Sequence, residues 1–219
     1  MFKKNNSYIW CNVILGKNVL IEPFCTIGKP PKGRGDGELK TVICDNVIIR
    51  SGTIIYAGVK IGKDSQTGHG VLIREGNLIG NNVSIGTNSI LEPDNNIGNR
   101  VRIHSGCFME SAIIEDDVFV GPCAVFTDDP HPPCPRYKDC KGGVVVKKSA
   151  KIGANSTILP GAVIGENSLI GAGSVVIGNI AREAVAVGNP ARKIKLIKAL
   201  KCSKGFFSRP YQFKKIYEN

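Results

Sequence analysis

The sequence repeats every six residues between residues 43 and 114, and this period is its strongest constraint on the fold. Counting in sixes from Ile43 to Met109 gives twelve positions, of which eleven are apolar and one is Thr67. Four residues after each of these comes a second position that is mostly small or β-branched, as at Cys107. Two inward-facing residues in six, separated by polar residues and glycine, predict a short strand followed by a tight turn.

A six-residue repeat of this kind cannot bury its own apolar face. Successive repeats are therefore expected to coil and stack around a shared core. The rhythm resumes at residue 146 and continues to residue 176. A sandwich of short strands is the alternative, but its turns would recur irregularly, about every 8 to 12 residues. The repeat thus predicts a solenoid.

The hexapeptides share one pattern, in which an aliphatic residue precedes Gly or an acid, two free positions and a small residue. Instances are IGNNVS, IGTNSI, IGNRVR, IGANST, IGENSL and IGAGSV. Over residues 9–191 the chain resembles the left-handed β-helix acyltransferases. The resemblance implies an all-β, left-handed parallel β-helix with three hexapeptides per triangular turn. Residues 18 apart should then stack about 4.8 Å from one another.

The composition agrees with one such domain, since the 219 residues include 26 glycines for the corners and an ordinary apolar fraction of 42%. We expect residues 1–191 to form the β-helix, with loops at 28–42 and 127–145. Residues 192–219 are expected to form a basic C-terminal helix and tail. Neither a run of roughly 18 apolar residues nor the apolar core of a signal peptide is present, which predicts a cytoplasmic protein.

The period is interrupted at three places, where a rigid solenoid is expected to carry its chemistry. Sixteen residues separate Ile27 from Ile43, where twelve would keep the rhythm; this basic, glycine-rich stretch suits a phosphate-facing loop or a solvated connection. A one-residue slip lies between Met109 and Ile114, and a long excursion follows Phe126. In the family that the chain resembles, a loop at this last place reaches a neighbouring subunit and walls the active site.

Two histidines are the first candidates for chemistry. With three hexapeptides per turn, His69 and His104 lie on one face, two turns or about 10 Å apart. His104 directly follows the inward Ile103, so its ring should point outward. Related enzymes commonly use such a histidine to take a proton from the acyl acceptor. The resemblance therefore implies His104 as the general base, with His69 as a reserve or a substrate contact; an incidental surface histidine is the alternative.

A column of polar residues is expected on the neighbouring face. Its members occupy the second position of hexapeptides 18 residues apart: Tyr56, Arg74, Glu92 and Glu110. They form either a solvated stripe or a substrate wall, in which Glu92 would bind hydroxyls or an amine and Arg74 a phosphate. Asp94 and Glu110 are alternatives to His104 as the base.

Polar residues at inward positions are expected to be structural. Asn77 and Asn95 should stack and satisfy their amides by bonding from turn to turn. Cys25 and Cys107 also fall on inward positions, where a free thiol packs as a small apolar group. The eight cysteines are thus weak evidence for disulfides.

The excursion contains three soft side chains, His131, Cys134 and Cys140. A closed zinc site needs four ligands, and this spacing matches no standard zinc pattern. The γ-class carbonic anhydrases share the left-handed helix and bind metal with three histidines between subunits. In this chain His69 and His104 imitate only the first interval between those histidines. The third ligand would fall near Met109, which is not a histidine, so we predict no metal.

The end of the repeat carries the strongest local match to the family, the phrase VGNPAR at residues 187–192. In the family this coil and the turn after it flank coenzyme A. The resemblance implies that Asn189, Pro190 and the backbone near Ala154 and Ala172 contact the coenzyme, while Arg192 meets its phosphates. A simple terminating turn is the alternative.

The net charge of +11 is concentrated at one end. Residues 192–219 hold nine Lys or Arg and one Glu, which places +8 of the charge there. The segment ARKIKLIKALK resembles a short amphipathic helix. Packing across a trimer or a partly ordered tail is favoured over attraction to an anionic membrane. No motif for nucleic-acid binding is present, so we predict no nucleic-acid partner.

Taken together, RIHSG, VFTDDPHP and VGNPAR resemble the amino-sugar N-acetyltransferases. The resemblance implies acetyl-CoA as cosubstrate, a nucleotide-linked amino sugar as acceptor, direct attack of the amine on the thioester, and a homotrimer with its sites between subunits. A sugar O-acetyltransferase and a non-catalytic scaffold remain open.

Overall fold

The computed structural model describes residues 2–4, 6–140 and 142–211. In chain order its strands are β1 Phe2–Lys4, β2 Ser7–Ile9, β3 Val13–Leu15, β4 Leu20–Ile21, β5 Thr26–Lys29, β6 Thr41–Ile43, β7 Ile48–Ile49, β8 Ile54–Tyr56, β9 Lys60–Ile61, β10 Gln66–Thr67, β11 Leu72–Ile73, β12 Leu78–Ile79, β13 Ser84–Ile85 and β14 Ile90–Leu91. They continue with β15 Asn96–Ile97, β16 Arg102–Ile103, β17 Phe108–Met109, β18 Ile113–Ile114, β19 Phe119–Val120, β20 Val125–Phe126, β21 Val145–Val146, β22 Lys151–Ile152, β23 Thr157–Ile158, β24 Val163–Ile164, β25 Leu169–Ile170, β26 Val175–Val176, β27 Ala184–Val187 and β28 Arg192–Leu196. One short helix, α1, spans Tyr137–Cys140, and a 3-10 turn spans Ile197–Ala199.

Every third strand joins the same sheet, so the strands form three walls. Sheet A runs from β1 and β2 through β5, β8 and so on to β26; sheet B runs from β3 to β24; sheet C runs from β4 to β25 and ends with β27 and β28. Within the walls Thr67 pairs in parallel with Ile85, and Ile85 with Ile103, in each case 18 residues on. The predicted solenoid and its three-hexapeptide turn are confirmed, while the left hand of the coil remains a prediction.

The repeat forms this coil because its first residue points inward and its fourth makes the corner. Ile43, Ile49 and Ile55, one from each wall, are fully buried. The corner residues adopt left-handed backbone, with φ of 59° at Asn46 and 63° at Gly70. Asn and Gly tolerate this conformation, whereas β-branched residues are strained in it, which explains the residue types at the corners.

We name the corners after the sheets they join, in chain direction. The AB corner follows each strand of sheet A, as at residues 92–95; the BC corner follows sheet B, as at 98–101; the CA corner follows sheet C, as at 104–107. Residues at equal positions of a corner stack from coil to coil, about 4.8 Å apart.

The first loop required a correction. Leu15 pairs with Ile43, 28 residues on, which is ten more than one turn. Ile27 and Ile43 therefore begin consecutive hexapeptides, so six residues, not twelve, would have kept the rhythm. Sequence counting misses this because the loop contributes no strand to the walls. The loop instead folds back on the first coil, where Asn12 Nδ2 donates to the carbonyl of Gly37 at 2.8 Å.

The other two interruptions lie where they were predicted. Asn96 pairs with Ile113, 17 residues on, which confirms the one-residue slip. The excursion leaves sheet A after Phe126 and returns to sheet B at Val145, so it projects from the AB corner.

The prediction of a C-terminal helix was wrong. Residues Arg192–Leu196 form strand β28, antiparallel to β27, and only the short turn Ile197–Ala199 is helical. The reason is tertiary, because β27 presents an open edge whose unpaired N–H and C=O groups are satisfied by an added strand. The end of the predicted tail, residues 212–219, lies outside the described residues. None of the helices in the described part of the chain has the length and apolar character needed to cross a bilayer.

Candidate functional site

The CA corner carries a column of residues at the second position of each hexapeptide. From the N-terminal end the column reads Glu22, Arg50, Gly68, Gly86, His104, Gly121, Gly153 and Gly171. The glycines are required, because a Cβ on Gly86 would collide with the backbone nitrogen of Ser105, and one on Gly68 with that of Thr87. His104 is therefore a side chain standing among positions that have none.

A groove of about 350 Å³ runs along this column on the face of sheet C. It spans four coils, with Arg50 at one end and Arg102, His104 and Ser105 at the other. Between them the outward residues are Gln66 and Ser84, and the floor is glycine. None of the described residues that line the groove is acidic.

His104 has a fixed backbone and an exposed side chain. Its N–H donates to the carbonyl of Val120 at 2.9 Å, and its carbonyl accepts from Ser89 Oγ at 3.1 Å. The imidazole packs against Phe119, with ring centroids 5.0 Å apart and planes inclined by 57°. The ring thus borders the groove and packs against one aromatic side chain.

His69 lies on the same corner, nearer the N-terminal end. Its Nδ1 is 3.8 Å from Glu22 Oε2, and its side chain is 59% exposed. Glu22 also accepts from both the N–H and the hydroxyl of Ser51, at 3.0 Å each. These hydrogen bonds, chiefly that from the Ser51 N–H, lower the pKa of Glu22. Glu22 and Ser51 were missed by sequence reasoning, because Glu22 precedes the loop that disturbs the count.

The predicted polar column lies on the AB corner, and its arginine is already engaged. Arg74 donates two hydrogen bonds to Glu75, both 2.9 Å, and one to Glu92 at 3.1 Å. Its guanidinium also lies 5.0 Å from the ring centre of Tyr56. The hydrogen bonds that Arg74 donates to Glu75 raise the pKa of Arg74. Two carboxylates thus neutralise the charge that the sequence assigned to a phosphate, and the excess charge at this column is negative.

The buried asparagines behave as predicted. Asn77 Nδ2 donates to the carbonyls of Arg74 and Glu92 at 2.8 and 2.9 Å. Asn77 and Asn95 are both completely or almost completely buried. Their role is structural, because they satisfy backbone carbonyls at the AB corner.

Asp128 was not singled out from the sequence, although it lies in the VFTDDPHP phrase. It is buried, and its Oδ2 accepts from Ser111 Oγ at 2.8 Å. Its backbone carbonyl accepts from Gly142 N–H at 2.9 Å. Asp128 therefore joins both ends of the excursion to the slip beside Glu110.

One chain does not bring all the predicted catalytic residues together. His104 lies on the CA corner, whereas Asp94, exposed and with φ of 67°, and the half-buried Glu110 lie on the AB corner. These corners are the two opposite edges of sheet A. Within one chain, sheet A thus separates His104 from the AB column.

The CA corner also presents backbone donors. Among the described residues, the N–H groups of Ser105, Ala154 and Ala172 have no hydrogen-bond acceptor. On the BC corner four of the equivalent N–H groups donate to side-chain oxygens, those of Lys17, Lys63, Asn81 and Asn99. The N–H groups of Ser105, Ala154 and Ala172 lie on the same corner as His104.

The VGNPAR turn lies at the C-terminal end of this corner. Gly188 N–H donates to Ser174 Oγ at 3.2 Å, and the Gly188 carbonyl accepts from Val175 N–H at 3.0 Å. Asn189, Pro190 and Arg192 are exposed there. The predicted cofactor residues therefore share one corner with His104.

Lys151 is a further residue that the sequence reasoning missed. It points outward from sheet C, where Nζ donates to Asn167 Oδ1 at 2.6 Å and lies 4.8 Å from the ring centre of Tyr211. Burial lowers the pKa of this lysine to about 8. The sequence could not reveal this contact, because Tyr211 belongs to the C-terminal segment, 60 residues further along the chain.

The cysteines and the loop ligands offer little chemistry. Burial raises the pKa of Cys107 to about 11, so its thiol stays protonated at neutral pH. Within the described part of the chain, no three His, Cys, Asp or Glu side chains are grouped to hold a metal ion. Cys140 Sγ instead donates to the carbonyl of Arg136 at 3.6 Å.

Parts of the chain are similar to known proteins. The family model "Bacterial transferase hexapeptide (six repeats)" matches residues 40–75 and 143–178. A dTDP-3-amino-3,6-dideoxy-alpha-D-galactopyranose 3-N-acetyltransferase of Aneurinibacillus thermoaerophilus is 57% identical over 51 residues, which cover 23% of this chain and 27% of that protein. The matched part is thus only about a quarter of this relative's length.

A solved structure supports the fold. LpxA, a UDP-N-acetylglucosamine acyltransferase from Bacteroides fragilis, superposes with a TM-score of 0.62 at 20% identity, over 90% of this chain and 74% of that one. This likeness shows the fold, and the family model matches the repeats over about a third of the chain.

Proposed function

We propose that the chain is an acetyl-CoA-dependent N-acetyltransferase that acts on the amino group of a nucleotide-linked sugar. The observation that carries the proposal is the CA corner, where an outward imidazole, a groove and a line of unpartnered backbone donors lie on one edge of the coil. The similarity to the dTDP-amino-sugar N-acetyltransferase of A. thermoaerophilus supports the reaction class.

The C-terminal part of the CA corner fits coenzyme A. The pantetheine arm is a chain with amide groups, whose carbonyls accept hydrogen bonds from N–H donors. Ala154 and Ala172 offer such donors one coil apart, about 4.8 Å, without side chains that would block an extended ligand. The exposed Arg192 beyond them is suited to a phosphate. Acetyl-CoA would supply the acetyl group as a thioester.

The reaction needs a proton acceptor and an oxyanion donor. His104 takes a proton from the substrate ammonium or from the tetrahedral intermediate, a contribution of about 10²–10⁴ in rate. The amine nitrogen bonds to the thioester carbon, the C–S bond breaks, and the departing sulfur receives a proton. The Ser105 N–H, adjacent to His104, stabilises the carbonyl oxygen as it gains charge. No covalent intermediate on the protein is required.

The site is completed by a second copy of the chain in a homotrimer. The outer face of sheet A is a column of half-buried apolar residues, Ile54, Leu72, Ile90, Phe108 and Val125. If this face packs around a threefold axis, the CA corner of one copy meets the AB corner of the next. His104 then faces the Arg74–Glu92 column, with Asp94 and Glu110, which a single chain keeps at the opposite edge of sheet A.

The test is a screen of nucleotide-linked amino sugars with acetyl-CoA, read by thiol release and by the mass of the product. The expected product gains one acetyl group that resists mild hydroxylamine, as an amide does. A hydroxylamine-labile product would instead identify an O-acetyltransferase. If acetyl-CoA neither reacts nor raises the melting temperature, the chain is not this enzyme but a scaffold.

A further inference from the structure

The groove on sheet C has an arginine at each end and is bare in its middle. Its second-position column reads Arg50, Gly68, Gly86, His104 over four consecutive coils. Arg50 and His104 are thus separated by three coil spacings, roughly 14 Å along the axis. The two glycines between them leave the backbone exposed as a floor.

The electrostatics of this groove differ from those of the AB corner. The groove contains Arg50 and Arg102, and within the described residues it is lined by no carboxylate; Glu22, which precedes Arg50 in the same column, pairs with Arg50 at 3.4 Å. At the AB corner, by contrast, Arg74 is held by two carboxylates at 2.9–3.1 Å. An anionic part of a substrate is therefore attracted to the groove and repelled from the AB column.

Arg50 is oriented for this role. Its Nη2 donates to Gln66 Oε1 at 3.3 Å, and Nη1 to Glu22 Oε1 at 3.4 Å. Glu22 is held in turn by the shorter bonds from Ser51. The Arg50 side chain is 37% exposed, and both of its hydrogen bonds are long, so a phosphate can compete for the guanidinium.

We propose that the groove binds the diphosphate of the nucleotide-linked acceptor at Arg50, with the sugar ring lying over Gly68 and Gly86 and its amine at His104. This rests on the proposed function and adds the position and direction of the acceptor. A pyranose ring, its phosphate and the reach of an arginine side chain together fill the interval between Arg50 and His104. Coenzyme A then approaches His104 from the C-terminal end and the nucleotide from the N-terminal end.

Arg50→Gln tests the inference. Loss of a charge-assisted contact should weaken binding of a nucleoside diphosphate about tenfold to a hundredfold in titration calorimetry. It should raise KM for the nucleotide-linked amino sugar by a similar factor, while KM for acetyl-CoA changes less than about twofold. Arg182→Gln, which removes an exposed arginine far along the coil, is the matched control and should change neither value.

A second variant guards against a folding defect in the first. Gln66→Glu leaves Arg50 in place but adds a negative charge beside it, and should weaken nucleoside diphosphate binding with an unchanged melting temperature. Inorganic phosphate serves as the smaller probe; binding as tight as that of the nucleoside diphosphate would contradict a diphosphate site.

The inference is overturned if Arg50→Gln binds nucleoside diphosphate as the unaltered protein does, or if Arg102→Gln alone abolishes binding. Because binding is measured without acetyl-CoA, it is decided separately from the proposed function. Acetyl transfer that does not depend on Arg50 would support the acetyltransferase and contradict the diphosphate site. Nucleoside diphosphate binding that depends on Arg50, without acetyl transfer, would support the site and contradict the acetyltransferase.

Discussion

The Nδ2 of Asn95 donates a 3.0 Å hydrogen bond to the Oδ1 of Asn77, one coil earlier, inside the solenoid. Asn95 also donates to the carbonyls of Glu92 and Met109, and its Oδ1 accepts from the Ala112 N–H at 2.8 Å. The last bond lies within the slip between Met109 and Ile114. Complete hexapeptides use the same kind of bond, since Cys107 N–H donates to Ser89 Oγ, one coil earlier, at 3.2 Å.

Replacing Asn95 by Leu should therefore destabilise the protein strongly. The change removes the partners described above from the Ala112 N–H and the Asn77 Oδ1 in an apolar interior, at a cost of about 2–4 kcal/mol. Chemical denaturation monitored by circular dichroism measures the loss. Asn96→Leu, on the exposed face of sheet B, is the control and should stay within about 0.5 kcal/mol. Equal effects of the two changes would remove the role assigned to the buried ladder.

His104→Ala should lower turnover at least about a hundredfold, because the proton acceptor is lost. Coenzyme A binding, measured by calorimetry, should change little, since its donors lie on later coils. His131→Ala, in the excursion, is the control histidine. A near-normal rate for His104→Ala would move the base to Asp94 or Glu110.

Asp128→Ala should loosen the excursion without unfolding the coil. The substitution removes the acceptor of Ser111 Oγ, so the excursion loses its side-chain hydrogen bond to the slip between Met109 and Ile114. Faster proteolysis within residues 129–143 and lower turnover are expected, with far-UV circular dichroism unchanged. Asp129→Ala, one residue further, is the matched control, because the half-buried Asp129 accepts from His131 N–H within the excursion and not from Ser111. Proteolysis at the same rate in both variants would contradict a stabilising role of the Ser111–Asp128 hydrogen bond.

Lys151 predicts a pH dependence of stability. Its folded-state pKa of about 8 lies below its ordinary value of 10.5. Between pH 8 and pH 10.5 the unfolded chain therefore binds more protons than the folded one. Stability from this group should therefore rise as the pH increases from about 8 to about 10.5. The difference in melting temperature between Lys151→Met and the unaltered protein should be largest near pH 7 and vanish toward pH 10.5.

The matched comparison for this titration is Lys60→Met, an exposed lysine of sheet B. Its melting temperature should follow that of the unaltered protein across the same range. A difference for Lys151→Met that is independent of pH would show that packing alone, and not the lysine charge, limits stability.

Leu72→Glu should dissociate the trimer. The change places a charge at the centre of the apolar column of sheet A, where burial without a partner is costly. Light scattering should then give about one third of the mass, and turnover should be lost because His104 no longer meets the AB corner. Leu78→Glu, on the outer face of sheet B, should remain trimeric. An active monomer of the unaltered chain would be incompatible with the shared site.

The sequence predicted the walls of this fold well because its period is local. An inward aliphatic residue every six positions and Gly, Asn or Asp at the corners are each dictated by backbone geometry, so the coil, the slip and the Asn77–Asn95 ladder could all be predicted. The size of the first insertion could not, because a loop that adds no strand leaves no periodic signal. The helix expected after Arg192 failed for a related reason, since its segment pairs with an edge that no local pattern reveals.

The candidate site divides in the same way. Periodicity by itself placed His69 and His104 on one face and Arg74 and Glu92 on another. Only the tertiary structure decided that Arg74 is neutralised by Glu75 and Glu92, that Arg50 borders a groove without carboxylates, and that Asp128 fastens the excursion. These contacts join residues from different coils or corners, and their charges are set by neighbours in space. A six-residue count determines which way a side chain points, but its partners depend on how the coils stack.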